Sequence, residues 1–453
     1  MKKDSKEQRP AAVPDRAIRV GETRSRWDWV EPSVWTPRML EALKKGVQGG
    51  KWYSLIDKVY SPENLAAAWK QVRRNRGAPG VDHVTIEQFE RRLGENLGRL
   101  AMSLRSGSYV PAPVRRVLIP KAGRPGETRP LGIPTVRDRV AQAAARDVLE
   151  PIFEAGFSEM SFGFRPNRGA RDALRQVRQA IEEGGVHVVD ADLKSYFDTI
   201  PHARLMEQVG KKVSDRRILT LLESWLHQQI MDDVTEWTPE QGSPQGAVIS
   251  PLLANIYLDE LDHLVANAGF KMVRYADDFV ILCPNREHAE AALALVKEWT
   301  ATAGLTLHPT KTRLVDLTGK ETFDFLGYAF SLENRWPSAK SNQKIRDRIR
   351  EMTPRNRGRS LRSTIDALNR VLRGWYQYFR HARRARLNRV DGWVRQRLRA
   401  ILWRFKKGRG FPPPSLSKKY DKAYFAAQGL FSLAAKHAEE TAQLQLPLQP
   451  ARR

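Results

Sequence analysis

The chain has 453 residues, with 77 Lys or Arg against 51 Asp or Glu, a formal charge of +26 and a pI near 10.3. That length suffices for two or three domains with a sizeable core, and the charge predicts a polyanionic partner, because such a field draws phosphate backbones and releases their counterions. The single cysteine, Cys283, excludes an intramolecular disulfide framework and a Cys-rich zinc site, and with no run of 18 apolar residues and no evident amphipathic anchor no membrane partner is expected.

Residues 1–60 are mildly basic, carry Trp27, Trp29, Trp35 and Trp52, and read as a partly ordered extension. The first twenty residues mix bases with Asp4, Glu7 and Asp15 and contain no apolar run, so they form neither a signal peptide nor an acid-poor transit peptide; a cytoplasmic location is expected. Gly77, Pro79 and Gly80 predict a bend before a helix, with Thr85 as N-cap and Glu87 and Gln88 in its first turn. IPKAGRPGETRPL reads as a basic turn between strands.

VVDADLKSYFDTIP, residues 188–201, predicts a strand ending at Asp192, a turn, and a helix opening at Pro201. A calcium loop is excluded: Lys194 and Ser195 stand where it needs a third ligand and a glycine, and no Glu closes it. Asp190 shares a strand face with Asp192, two residues on. KMVRYADDFVIL, residues 271–282, predicts a hairpin with Asp277 and Asp278 at its tip. An isolated Asp-Asp is most simply a solvated surface turn, but here apolar runs flank it and a second acidic segment lies upstream. One carboxylate from that segment and two from the hairpin would suit a pair of divalent cations roughly 3.5–4 Å apart. Cys283, directly after the hairpin, reads as a small buried hydrophobe.

Residues 340–410 hold 23 Lys or Arg and only 4 Asp or Glu, so most of the chain's excess charge lies in about one sixth of its length. Three helices are predicted there, over 341–352, 360–382 and 387–406. Leu361, Ile365, Leu368, Leu372, Tyr376 and Phe379 recur at helical spacing, and Arg357, Arg359, Arg362, Arg370, Arg373 and Arg380 leave the segment basic elsewhere. A solvated surface would normally mix both signs; the scarcity of acids favours a grip on nucleic acid, with guanidiniums on phosphates. Trp375, Trp393 and Trp403 fit core packing or base stacking. The tail, 411–453, starts in a proline run, ends in TAQLQLPLQPARR, and is expected to be flexible.

Together these motifs resemble a reverse transcriptase of the group II intron type. YADD is similar to that family's catalytic turn and DLKSYFD to its first catalytic strand. VRRVLIPKAGRPGETRPLGIPTVRDRVAQAA resembles its fingers, SFGFRPNRGARDAL its fingers-to-palm connection, and GSPQGAVISPLLANIYLDELD its template- and nucleotide-contacting loop and helix. LTLHPTKTRLV with FDFLGY resembles the strand pair and primer grip, and LRGWYQYFR the maturase region. NRGAPGVDHVTIEQFERRL resembles an N-terminal insertion shared by non-retroviral relatives. The likeness is colinear from about residue 62 to about 405.

The resemblance implies an α+β right hand: an N-terminal extension (1–60), fingers (61–189), an antiparallel-sheet palm (190–335), a basic helical thumb or maturase domain (336–410), and the tail. It implies that Asp192, Asp277 and Asp278 ligate two Mg²⁺, Asp278 being the least direct, and it assigns Asp190 no role. Lys121 and Arg129 would hold the triphosphate, and Gln245 would touch the nucleotide or template base, with Gly246 allowing close backbone approach. Ala247 replaces a glycine common in relatives. Phe197, with Tyr196 as the fallback, would exclude a 2′-hydroxyl. Tyr275 would pack near the primer terminus, Lys311 near the phosphates, and Phe325-Leu326-Gly327 beneath the primer. The implied partners are dNTPs, an RNA template with a DNA or RNA primer, and the parent intron RNA, whose splicing the chain would assist. The zinc-stapled endonuclease found in many relatives is not expected. Two alternatives stay open: a splicing maturase whose polymerase is dispensable, and a domesticated enzyme of DNA repair or defence.

Overall fold

The computed structural model describes residues 27–47, 49–120, 126–232, 235–354, 358–406, 408, 410 and 412–445. Lys121 and Arg357 therefore lie outside the described residues. The first helical layer gathers Pro62–Asn75, Leu93–Ser106 and Val136–Glu154. Thr85 caps the short helix Ile86–Arg91 as its spacing predicts, in a reciprocal capping box with Gln88. Trp35 is buried and donates its indole N–H to the Asp147 carbonyl at 2.9 Å. At least that part of the N-terminal extension is thus built into the fingers core.

The chain then forms β1 (Val114–Pro120) and β2 (Thr128–Ile133), an antiparallel pair. In chain order follow β3 (His187–Asp192), β4 (Ile230–Met231), β5 (Glu236–Trp237), β6 (Lys271–Tyr275), β7 (Asp278–Cys283) and β8 (Arg313–Asp316). The palm sheet has the order β6-β7-β3-β8, all antiparallel, and the fingers sheet the order β2-β1-β4-β5. Val189, Ala191, Phe279 and Ile281 face the main core, shared with helices Ser250–Asn267 and Arg286–Thr302. Val188, Val280 and Leu282 face the other way, onto helix Ala170–Glu182 and the small sheet of β9 (Phe323–Phe325), β10 (Tyr328–Phe330) and β11 (Arg335–Pro337). Both faces are covered, so alternation survives only as two apolar sets pointing into different cores. Cys283 is buried, and burial pushes its thiol up to about 11.

The basic segment folds into Ala339–Met352, Leu361–Phe379 and Arg384–Phe405, within a few residues of the predicted bounds. Ile365, Leu368, Leu372 and Tyr376 of the apolar stripe are buried with Ile345, Leu387, Val394 and Leu398, Leu361 is half-buried at their margin, and Phe379 turns instead into the core beneath β9 and β10.

The tail departs from expectation. Residues 412–445 carry three more helices, Ser415–Lys419, Lys422–Ala427 and Leu433–Gln445. Leu416, Tyr420, Phe425, Leu433 and Ala434 join the thumb core. Two of these helices have only five and six residues, too short to show a period, and they order by burying apolar side chains on helices already in place. Asp391, itself buried, pins the last helix: it accepts from Ser432 Oγ at 2.8 Å and from the Leu433 and Ala434 amides at 3.0 Å each. Asn369 ties the preceding loop through the Gly429 carbonyl and the Phe431 amide.

Replacing Asp391 with Ala strands those helix-end donors, at about 1–3 kcal/mol. Amide exchange over 433–445 should then rise while the palm strands keep their protection. Unchanged exchange in the variant would mean that packing alone holds the tail.

Candidate active site

Strand register builds the site. β3 and β7 pair so that Asp192 lies directly opposite Asp278, and β6 pairs with β7 so that Tyr275 lies opposite Asp278. The hairpin therefore turns through Ala276 and Asp277 alone, and all three predicted carboxylates reach one edge of the palm. Ala276 takes φ +60°, a left-handed conformation that an L-residue adopts at a cost. Neighbouring groups hold it there.

The first of these is Gly163, in the fingers-to-palm connection. A Cβ at this position would sit 2.3 Å from the Ala276 nitrogen, so only glycine lets the two backbones meet. The second is Arg274, whose side chain is 1% exposed. Its guanidinium donates to the Ala276 carbonyl at 3.0 Å, to Asn255 Oδ1 at 3.0 Å, and to both carboxylate oxygens of buried Asp262, one of them at 2.7 Å. Asn255 in turn donates to the Gly163 carbonyl at 2.8 Å. The Arg274 backbone also bonds Met160 and Phe162, stitching the connection to the free edge of β6. The motif reading missed this network. Its signals were an arginine inside an otherwise apolar strand and two polar residues, Asn255 and Asp262, seven apart on one face of a buried helix.

The carboxylates are poorly compensated. Burial pushes the Asp278 carboxyl up to about 8, with Asp190, Asp192 and Asp277 adding to the rise and Lys311 opposing it. Burial also raises Asp277, with Asp192 adding, while a backbone hydrogen bond opposes. The Lys311 ammonium ion-pairs with Asp192, so this lysine sits on a catalytic candidate rather than on open solvent. Arg313 holds Asp190 at 3.1 Å, which leaves that carboxylate committed. Among the described residues, no three Asp, Glu, His or Cys side chains already surround a single point. The acidic edge nonetheless suits a hard divalent cation: oxygen ligands, like charges held together, and one displaceable ammonium.

Beside this edge stands a ring cluster. Tyr196 is buried and donates its hydroxyl to the Ala254 carbonyl at 2.6 Å, whereas Phe197 is only half-buried, so Phe197 is the ring facing the open side. Tyr275 is half-buried close by. Gln245 reaches Asp198 at 3.4 Å, and its carbonyl accepts from the Gly132 amide of β2 at 2.6 Å. Gly246, at φ +115°, would place a Cβ 2.4 Å from the Gly132 carbonyl, so the loop lies directly on β2. Ala247 is buried without disturbing it. A cavity of about 700 Å³ opens behind Gln245, lined by Arg116, Asp198 and Trp237 among others. Arg129 is exposed on β2. On the thumb, Arg359, Arg362, Arg370, Arg373 and Arg380 are all exposed.

Residues 119–330 match the family profile described as reverse transcriptase (RNA-dependent DNA polymerase), and residues 342–411 match the group II intron maturase-specific domain. Residues 119–330 thus belong to the reverse transcriptases, and residues 342–411 to the maturase domains of group II introns. The first profile takes in β2 through β10 and so every palm carboxylate named above, and the second takes in the helices of the basic segment. Protein YkfC of Escherichia coli K12 is 42% identical over 46% of this chain and 56% of its own length. The group II intron-encoded protein LtrA of Lactococcus lactis is 34% identical over 53% of this chain and 40% of its own. A putative COX1/OXI3 intron 1 protein of Saccharomyces cerevisiae is 26% identical over 79% and 49%. The chain thus spans about half the length of the curated relatives it matches.

The electrostatics of this reverse transcriptase palm carry a stability signature. With its folded value near 8 and an ordinary value of 3.8, Asp278 keeps a proton in the folded chain that the unfolded chain has released. It therefore favours folding below about pH 4, and that contribution is lost as pH rises through 8. Asp278→Asn should flatten this slope and raise the melting temperature of the metal-free protein at pH 8. A lower melting temperature at that pH would show that the carboxylate is stabilised rather than strained.

Proposed function

We propose that the chain is an RNA-directed DNA polymerase that also binds its parent intron RNA and assists splicing. The observation that carries the polymerase reading is the register that sets Asp192 across from Asp278 and leaves Asp277 in a two-residue turn beside them. Such a cluster destabilises a fold and is useful to phosphoryl transfer. Asp192, Asp277 and Asp278 would hold two Mg²⁺, which when bound would activate the primer 3′-hydroxyl and offset charge on the departing pyrophosphate.

The chain's own residues supply positioning. Phe197 presents a ring where a 2′-hydroxyl would collide, selecting deoxynucleotides. Gln245, fixed by its backbone on β2, meets the nucleotide or its templating base, and Gly246 lets the loop lie that close. Arg129, exposed on β2, would take the triphosphate together with Lys121. Lys311 leaves Asp192 for the phosphates once the carboxylate is otherwise neutralised, which its exposure permits. Tyr275 packs against the primer terminus. The exposed arginines of helix Leu361–Phe379, with Arg357 and Arg359 before it and Arg380 after it, bind RNA phosphates. The match to a maturase-specific domain over this segment supports the parent intron as the RNA.

The test is extension of a DNA primer on an RNA template with dNTPs and Mg²⁺, comparing wild type with Asp277→Ala. Wild type should synthesise DNA and the variant should fall by at least about 10³-fold, with RNA affinity unchanged. No synthesis by either protein, with tight binding of intron RNA, would replace this reading with that of a maturase lacking polymerase function.

A further inference from the structure

Phe164 is the anomaly of the site. It is an aromatic residue at φ +58°, where bulky side chains are true outliers, and the residue is 49% exposed. Strain and exposed apolar surface in one residue both work against folding, and they persist only where the surroundings over-determine them. Here they do. Arg165, its neighbour, is buried and donates to both oxygens of Glu154 at 2.9 and 2.7 Å and to the Ser161 carbonyl at 2.7 Å. On the other side Gly163 presses on the catalytic turn and accepts from Asn255. The backbone of residue 164 is clamped from both ends, and its ring is thrust outward.

That ring lands between two residues already placed in the site. Its centroid is 6.4 Å from Phe197, nearly perpendicular to it, and 6.5 Å from Tyr275. Phe197 is backed on its inner side by buried Tyr196, at 5.5 Å. Phe164 supplies a second wall. These separations fall within the range at which aromatic pairs attract.

We propose that Phe164 is a positioning residue for nucleotide selection: it braces the Phe197 ring, so that a ribose 2′-hydroxyl meets a wall that cannot swing aside. The proposal rests on the polymerase reading above. It assigns the strained fingers-to-palm connection a part in discriminating deoxyribonucleoside from ribonucleoside triphosphates, acting through Phe197 and without a polar contact of its own.

The test is single-nucleotide extension with dNTPs and with rNTPs, giving kcat and KM separately, for wild type, Phe164→Ala, Phe164→Gly, Phe164→Leu, Phe197→Ala and the double variant Phe164→Ala/Phe197→Ala. Phe164→Ala should lose about tenfold in deoxy-over-ribo selectivity, the upper end of what one aromatic pair contributes, chiefly through faster use of rNTPs. Phe197→Ala should lose more, and the double variant should match Phe197→Ala alone. Phe164→Gly relieves the backbone, so it should melt above Phe164→Ala while losing the same selectivity, and Phe164→Leu should keep part of it. A purely structural role predicts the reverse, with selectivity intact and only melting changed. Selectivity within twofold of wild type in both the Ala and Gly variants, or effects that multiply in the double variant, would overturn the proposal. A wild-type protein that extends with neither nucleotide class would instead overturn the polymerase reading beneath it.

Discussion

One pairing governs this molecule: β3 against β7, in the register that sets Asp192 opposite Asp278. Like charges directly opposite on adjacent strands destabilise a sheet, and burial makes these worse, as the raised Asp278 carboxyl shows. The fold tolerates the pairing because both faces of the strands are committed. Val189 and Ile281 point into one core and Val188 and Val280 into another. A slip of one residue would separate the carboxylates but would exchange these two apolar sets, so the register is held by packing at the expense of the acidic edge.

The surroundings absorb that cost in separate ways. Lys311 and Arg313 each take one carboxylate of β3. Arg274 lies beneath the turn and holds its backbone, so the charge it buries is spent on Asp262 and on the Ala276 carbonyl rather than on the catalytic candidates. Removing one partner of such a buried pair costs about 3–5 kcal/mol, which couples the shape of the turn to the stability of the whole palm. Gly163 completes the support from the fingers side, so the segment joining fingers to palm also sets the position of the active edge.

Much of this was legible in the sequence. The hairpin and the strand ending at Asp192 announce themselves by apolar runs interrupted by acids, and the thumb helices by a stripe at helical spacing. Local pattern could not reveal what depends on partners distant in sequence. Arg274 reads as a stray charge until Asp262 and Asn255 close around it. Phe164, inside SFGFRPNRGARDAL, carries no local sign of the left-handed backbone that turns its ring outward. Two of the C-terminal helices are too short to show a period, and the third, Leu433–Gln445, is pinned at its start by Asp391 against the thumb core. The choice between Tyr196 and Phe197 likewise needed the Ala254 carbonyl that takes the tyrosine hydroxyl.

On the proposed reading, the acidic edge would be a metal site that Lys311 keeps in waiting through its ion pair with Asp192. Titration of the full-length protein with Mn²⁺, read by the loss of the free-ion electron paramagnetic resonance signal, tests it without any assay of synthesis. Wild type should bind Mn²⁺, Asp277→Asn should bind at least about tenfold more weakly, and Lys311→Ala should bind more tightly, because the competing ammonium is gone. Equal affinity across the three proteins would contradict the account, and would mean that the three carboxylates meet for a reason other than metal.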